Sequence, residues 1–363
     1  MKFGKVSYRT VVFLLLSAGC FAQQENTASH ETSVKPFLGR WDLTLKAPDR
    51  EYPSWLELSE EQGQLKAQMV GRWGNARPLP KVEIDHGELR FVSPKEAEDR
   101  KDDMVFEAKL VDARLVGKTT GPDGTPWPWT GQRAPSLKRA GIPKWGRPVK
   151  LFNGKDLSGW KPDKENANAV WKVEGGTLLS PGHGPELIAT RPFGDFKLHI
   201  EFNIGKGSNS GVYLRGRYEV QVEDDSIQEP PSHHTGGVYG FIAPSPEMPR
   251  KPGEWQSYDI TLVGRTITVV QNGTTIIHQQ EVPGITGGAL NSHEGQPGPL
   301  YLQGSENGQV AYRNIVLTPV VKYGRIQYVP DFTRINCGVY WECLAGALPN
   351  ASTAGPTFSV GNP

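Results

Sequence analysis

Four short stretches of this sequence alternate apolar residues with residues that handle protons and hydroxyls. Across 198–204, Leu198, Ile200, Phe202 and Ile204 alternate with His199, Glu201 and Asn203. Across 212–215, Val212 and Leu214 alternate with Tyr213 and Arg215. Across 218–223, Tyr218, Val220 and Val222 alternate with Glu219, Gln221 and Glu223, and at 300–303 the leucines oppose Tyr301 and Gln303. Side chains two apart leave a strand on the same face, so each stretch presents one apolar and one polar face. Carboxylates and an imidazole can move protons, while amides, guanidinium and phenols bind hydroxyls and pack on sugar rings. Any single such strand is equally an ordinary solvated face. The acid- and amide-rich combination favours a polar cleft for a sugar, provided that the four strands are neighbours.

The elements that would position these residues are β-strands throughout. The chain has 363 residues with 42 Gly and 30 Pro, enough for two domains of short strands and turns. No segment sustains a 3.6-residue period, so the expected fold is all-β: an antiparallel sandwich or jelly roll over 149–320. A smaller β-barrel or β-sheet domain is expected in front of it at 36–139, where period two recurs from Trp41 to Ala108, with 140–148 as connector. Trp127 and Trp129 are expected to pack the core of that front domain, a sugar-stacking role being the second reading. The 40 Lys and Arg nearly balance 39 Asp and Glu, which argues against nucleic acid or an acidic membrane as partner.

Lys2, Lys5 and Arg9, a short apolar run at 11–16 and small residues after it form an export signal over 1–22, followed by a flexible lead at 23–35. The apolar run is too short for a transmembrane span. The chain is expected to be periplasmic or secreted, and lipid anchoring through Cys20 is the alternative. Cys337 and Cys343 lie in a loosely packed tail at 321–363, where they either pair or remain inert thiols. The His233-His234 pair, with Glu229 and Asp224-Asp225 nearby, matches no standard metal-ligand spacing. It is expected in an exposed loop that could serve as a lid.

An ordered set of short motifs runs through the second half of the chain. It comprises Leu-Phe-Asn-Gly-Lys-Asp-Leu-Ser-Gly-Trp at 151–160, Trp-Lys-Val-Glu-Gly-Gly-Thr-Leu at 171–178, Ser-Asn-Ser-Gly-Val-Tyr-Leu-Arg at 208–215 and Tyr-Glu-Val-Gln at 218–221. Gly253-Glu254-Trp255, Gln271-Asn272-Gly273 and Tyr-Arg-Asn-Ile at 312–315 follow. Together they resemble the 3-keto-disaccharide hydrolase domain family. The resemblance implies a concanavalin A-like jelly roll with a sugar-binding face, and a hydrolase acting on 3-keto-glycosides or 3-keto-disaccharides. Relatives commonly carry an Asp-His or similar pair shortly after the Leu-Gln at 302–303; here Gly304, Ser305 and Glu306 stand there.

A ketone at C3 acidifies the C2 proton. A base can remove it, the C1 oxygen can leave, and water can add back. Glu219 is the expected base, with Glu201 second. Arg215 could stabilise the enolate, a task a bound divalent cation could also perform, or it could simply pair with Glu219 or Glu201. His199 could carry the leaving-group proton. Tyr213, Gln221, Glu223, Tyr301, Gln303 and Asn203 would bind hydroxyls. The alternative is a non-catalytic carbohydrate-binding module of the same fold, or a protein whose front domain docks a partner.

Overall fold

The computed structural model describes residues 33–324, apart from 72–73, 98–99, 164–170, 181, 225–228, 250 and 306. The export signal with Cys20, most of the flexible lead, Asp225, Cys337, Cys343 and positions 325–363 fall outside the described residues. The chain divides into two units between Ala134 and Pro135. Among the described residues, no helix is long and apolar enough to cross a membrane.

The first unit is a single antiparallel sheet. Its strands are β1 (Gly39–Lys46), β2 (Glu51–Glu61), β3 (Gln64–Val70), β4 (Arg77–Pro78), β5 (Lys81–Asp85), β6 (Glu88–Ser93), β7 (Met104–Val111), β8 (Arg114–Thr120) and β9 (Pro126–Arg133). They run in the order β4-β3-β2-β1-β9-β8-β7-β6-β5. Alternation sends Trp41, Leu43 and Leu45 of β1, Leu56 and Leu58 of β2, Phe91 of β6, Phe106 of β7 and Trp129 of β9 into one buried cluster. The two sheet ends approach each other, for Arg77 of β4 donates to Ser93 Oγ of β6 at 2.9 Å. The sheet therefore curls toward a barrel.

The second unit is a two-sheet sandwich. Its strands are β10 (Ile142–Trp145), β11 (Val149–Lys150), β12 (Trp160–Pro162), β13 (Lys172–Glu174), β14 (Thr177–Ser180), β15 (Leu187–Phe193), β16 (Phe196–Ile204), β17 (Asn209–Leu214), β18 (Tyr218–Glu223), β19 (Gln256–Val263), β20 (Thr266–Gln271), β21 (Thr274–Glu281), β22 (Gly298–Leu302) and β23 (Val310–Gly324). The larger sheet runs β13-β14-β23-β16-β19-β20-β21, with β10 and β11 also paired to β23. The smaller runs β12-β15-β22-β17-β18. Leu198, Ile200 and Phe202 of the larger sheet share one buried cluster with Val212, Val220, Val222, Leu300 and Leu302 of the smaller. This is the all-β sandwich that the alternation predicts. Two differences stand out. Residues 142–145, expected in a connector, are a strand paired to β23. Residues 321–324, expected in the tail, continue β23.

Candidate functional site

The outer face of the smaller sheet carries most of the expected residues. Tyr213 of β17 sits directly opposite both Glu219 of β18 and Tyr301 of β22. One step along, Gly211 sits opposite Gln221, and the Gly211 carbonyl accepts from the Gln303 amide at 2.9 Å. Glu223 lies opposite Asn209. The alternate residues Val212, Leu214, Val220 and Val222 are in the core, so these polar side chains all leave on the other side.

Two carboxylates bracket a stacked tyrosine pair on this face. The Tyr213 and Tyr301 rings lie 4.3 Å apart and 18° from parallel. The Tyr213 hydroxyl is 2.8 Å from Glu219 Oε2 and 3.0 Å from the Gly287 carbonyl. Tyr301 hydrogen-bonds to Glu186, whose Oε2 also accepts from the Gly304 amide at 2.7 Å. Burial first, then the nearby carboxylates, push both phenols well above the usual tyrosine value. Both therefore stay protonated and act as donors. The two glutamates differ in access: Glu219 is only 3% exposed, while Glu186 is half-buried at the flank.

Close backbone approach shapes the face. A Cβ on Gly211 would lie 2.1 Å from Glu219 Oε1, so this glycine makes room for the carboxylate. At Gly304, a Cβ would lie 2.1 Å from the Gly184 carbonyl. The chain there packs against 184–185, and its amide can reach Glu186. A side chain at this position would strike the backbone of 184–185.

The segment after β18 folds back along its edge. Tyr239 donates its amide to the Glu219 carbonyl at 3.1 Å, and the Gln221 amide donates to the Gly237 carbonyl at 3.0 Å. His233, expected in an exposed loop, is buried at 8% exposure and stacks on Tyr239 with ring centres 4.2 Å apart. Its Nδ1 lies 3.0 Å from Glu229 Oε2. Three buried polar atoms at the site have no hydrogen-bond partner: Gln221 Oε1, Gln303 Oε1 and His233 Nε2. Leaving such an atom unpaired costs about 1–3 kcal/mol, so these acceptors suit a hydroxyl donor.

The other expected residues lie elsewhere. β16 belongs to the larger sheet and turns its apolar side to the core, so His199, Glu201 and Asn203 face away from Glu219. Glu201 accepts from Arg313 Nε and Asn314 Nδ2, each at 2.6 Å. Partial burial alone would raise its carboxyl, but these bonds outweigh burial and hold it below the ordinary glutamate value. His199 Nδ1 lies 2.8 Å from Asp259 Oδ1, and Asn203 donates to the Gly253 carbonyl at 2.8 Å. Arg215 also departs from its expected direction. Its φ of +53° places it in the β17–β18 turn, outside the alternation. Its guanidinium donates to the Gly264 carbonyl at 2.5 Å, sits 3.6 Å from Asp195, and forms neither expected glutamate pair.

No group of three His, Cys, Asp or Glu side chains among the described residues could hold a metal ion.

Residues 147–318 match the family model of the 3-keto-alpha-glucoside-1,2-lyase-like domain. A Bacteroides thetaiotaomicron protein named 3-keto-disaccharide hydrolase is 22% identical over 165 residues; the match covers 36% of this chain and 57% of that protein. Two solved structures of candidate glycosyl hydrolases from Parabacteroides distasonis are 27% and 19% identical. They cover 50% and 48% of this chain and 92% and 94% of their own, each with a TM-score of 0.41. It is the 3-keto-alpha-glucoside-1,2-lyase-like family that residues 147–318 match, as the ordered motifs implied.

Proposed function

We propose that the second unit is a carbohydrate-active enzyme that cleaves the glycosidic bond of a 3-keto-glycoside or 3-keto-disaccharide. Glu219 takes the C2 proton, and the C2–H electrons pass into the enolate of the C3 ketone. The enolate then expels the C1 oxygen, leaving a C1=C2 double bond. The departing oxygen takes a proton from the solvent-accessible side, where half-buried Glu186 is backed by Tyr301 and the Gly304 amide. Water adds back across the double bond, its oxygen to C1 and a proton to C2. Arg215 points elsewhere, so the enolate oxygen falls to the side-chain Nε2–H groups of Gln221 and Gln303, whose Oε1 atoms are left to accept from sugar hydroxyls. The basic, apolar and small-residue order of 1–22 supports export of this activity, with anchoring through Cys20 as the variant of that route.

One observation carries this reading. A buried carboxylate is held by a protonated tyrosine on a sheet whose polar residues include the unpartnered Gln221 Oε1 and Gln303 Oε1. The test uses a 3-keto-glycoside with a chromogenic leaving group. Glu219→Gln is expected to slow release by about 10²–10⁴-fold, the usual worth of a positioned base, while sugar binding persists. Full-rate release by that variant would refute the assignment. Binding without release by the wild type would make the domain a carbohydrate-binding module.

A further inference from the structure

The curled sheet of the first unit encloses a cavity of about 380 Å³ at one mouth, and nothing in the proposed sugar chemistry uses it. We propose that this cavity binds a small, ring-bearing, predominantly apolar molecule.

The walls come from alternate inward positions. Leu45, Tyr52, Met69, Met104, Phe106 and Trp127 line the cavity. Trp127 and Trp129 lie two residues apart on β9 and so face the same interior, yet they do different work. Trp129, 1% exposed, meets Phe91 and Phe106 edge-on at 6.0 and 5.9 Å, while those two phenyl rings stack at 4.6 Å. This aromatic group plugs the middle of the sheet. Trp127 is half-buried and faces Tyr52, their rings 6.0 Å apart and 24° from parallel. Above the plug, these two rings form an aromatic wall of the cavity.

The chemistry of the walls selects the ligand. The volume falls within the range of about 300–1,000 Å³ typical of small-molecule sites. A sugar would find few partners inside. The Ser54 hydroxyl is already given to the Val70 carbonyl at 2.5 Å, and the Tyr52 hydroxyl to Asp49. The remaining inner walls are mainly thioether, alkyl and aromatic groups, with the unpartnered Trp127 Nε1–H among them, and favour an apolar, ring-bearing body that offers that donor an acceptor. Charge is confined to the rim. Arg100 lies over the Trp127 ring at 5.9 Å and donates to the Thr120 carbonyl at 2.9 Å, with Lys101, Asp102 and Asp103 beside it. The rim thus suits one polar group on an otherwise apolar ligand.

The test titrates the full chain with anilinonaphthalene sulfonate, a ring-bearing probe with one anionic group. Saturable binding with quenching of tryptophan fluorescence is expected. Met69→Trp and Met104→Trp fill the cavity from different walls, and each is expected to weaken binding by about tenfold or more. Trp127→Phe keeps a ring in place and is expected to diminish the quench. Glu201→Gln, on the other unit, binds as the wild type does. Absence of saturable binding would overturn the proposal. So would wild-type affinity in a folded cavity-filling variant, or an undiminished quench in Trp127→Phe.

Discussion

Gly211→Ala tests the base assignment without altering the base. The added methyl would lie 2.1 Å from Glu219 Oε1, 2.8 Å from its carboxyl carbon and 2.9 Å from its Cγ. Ordinary contact begins near 3.4 Å, so the carboxylate must retreat by roughly 1 Å. Retreat is obstructed, because Oε2 is bound to the Tyr213 hydroxyl. Tyr213 is in turn stacked on Tyr301, and its hydroxyl lies so close to Gly288 that a Cβ there would sit 2.4 Å away. Gly211 lies outside the left-handed region, so its backbone accepts alanine. The overpacking should cost about 1–3 kcal/mol of stability. Misplacing a catalytic group by ~1 Å can cost ~10²-fold in rate, equivalent to ~2.7 kcal/mol in the barrier. Melting curves and kcat/KM on a chromogenic 3-keto-glycoside read the two effects separately. A folded Gly211→Ala protein whose kcat/KM stays within about threefold of the wild type would show that Glu219 does not abstract the proton.

Two further predictions concern residues away from the reacting face. Glu201→Gln removes the ion pair with Arg313 on the larger sheet, whose partners are partly exposed. It should cost at most about 1 kcal/mol in thermal stability and leave kcat/KM unchanged. Loss of activity in a stable Glu201→Gln protein would return that residue to the site. Asp195 accepts from Arg139 Nε at 2.6 Å and from the Tyr323 hydroxyl. Burial pushes its carboxyl up, but these bonds outweigh it and set the group below the ordinary aspartate value. A depressed folded-state pKa adds stability that is fully present above the unfolded value of ~3.9 and lost as pH falls through the folded one. Stability measured against pH should therefore fall in that acid window in the wild type, and this part of the slope should vanish in Asp195→Asn. An identical slope in both proteins would refute the assignment.

Alternation made the faces of single strands legible, but not their partners. It placed Tyr213, Glu219, Gln221, Glu223 and Tyr301 opposite their apolar neighbours, and the β17–β18 hairpin joined two of the strands locally. It could not tell that β16 belongs to the other sheet, because that membership is set by pairing with β19 and β23, far along the chain. Period two therefore produced a polar row at 199–203 indistinguishable from a cleft row. Arg215 was misdirected because a tight turn gave it a positive φ where a strand was assumed. Glu186 stands just ahead of β15 with no motif around it; what brings it in is the close packing of Gly304 against 184–185. His233 lies among prolines and glycines, a composition typical of exposed loops. Its burial follows from backbone pairing between 236–239 and the edge of β18.

β23 is paired with β10, β11, β14 and β16, so it joins the earliest strands of the second unit to its middle. Those partners leave the ribosome long before it does. Until residues 310–324 emerge, β14 and β16 each lack a neighbour, and the core beneath them has no complete cover. The unit is thus expected to finish folding only after β23 has been synthesised. Contacts of such long sequence separation also place it among the slower-folding topologies. A nascent chain stalled before Val310 should remain sensitive to protease, and one released after Gly324 should become resistant.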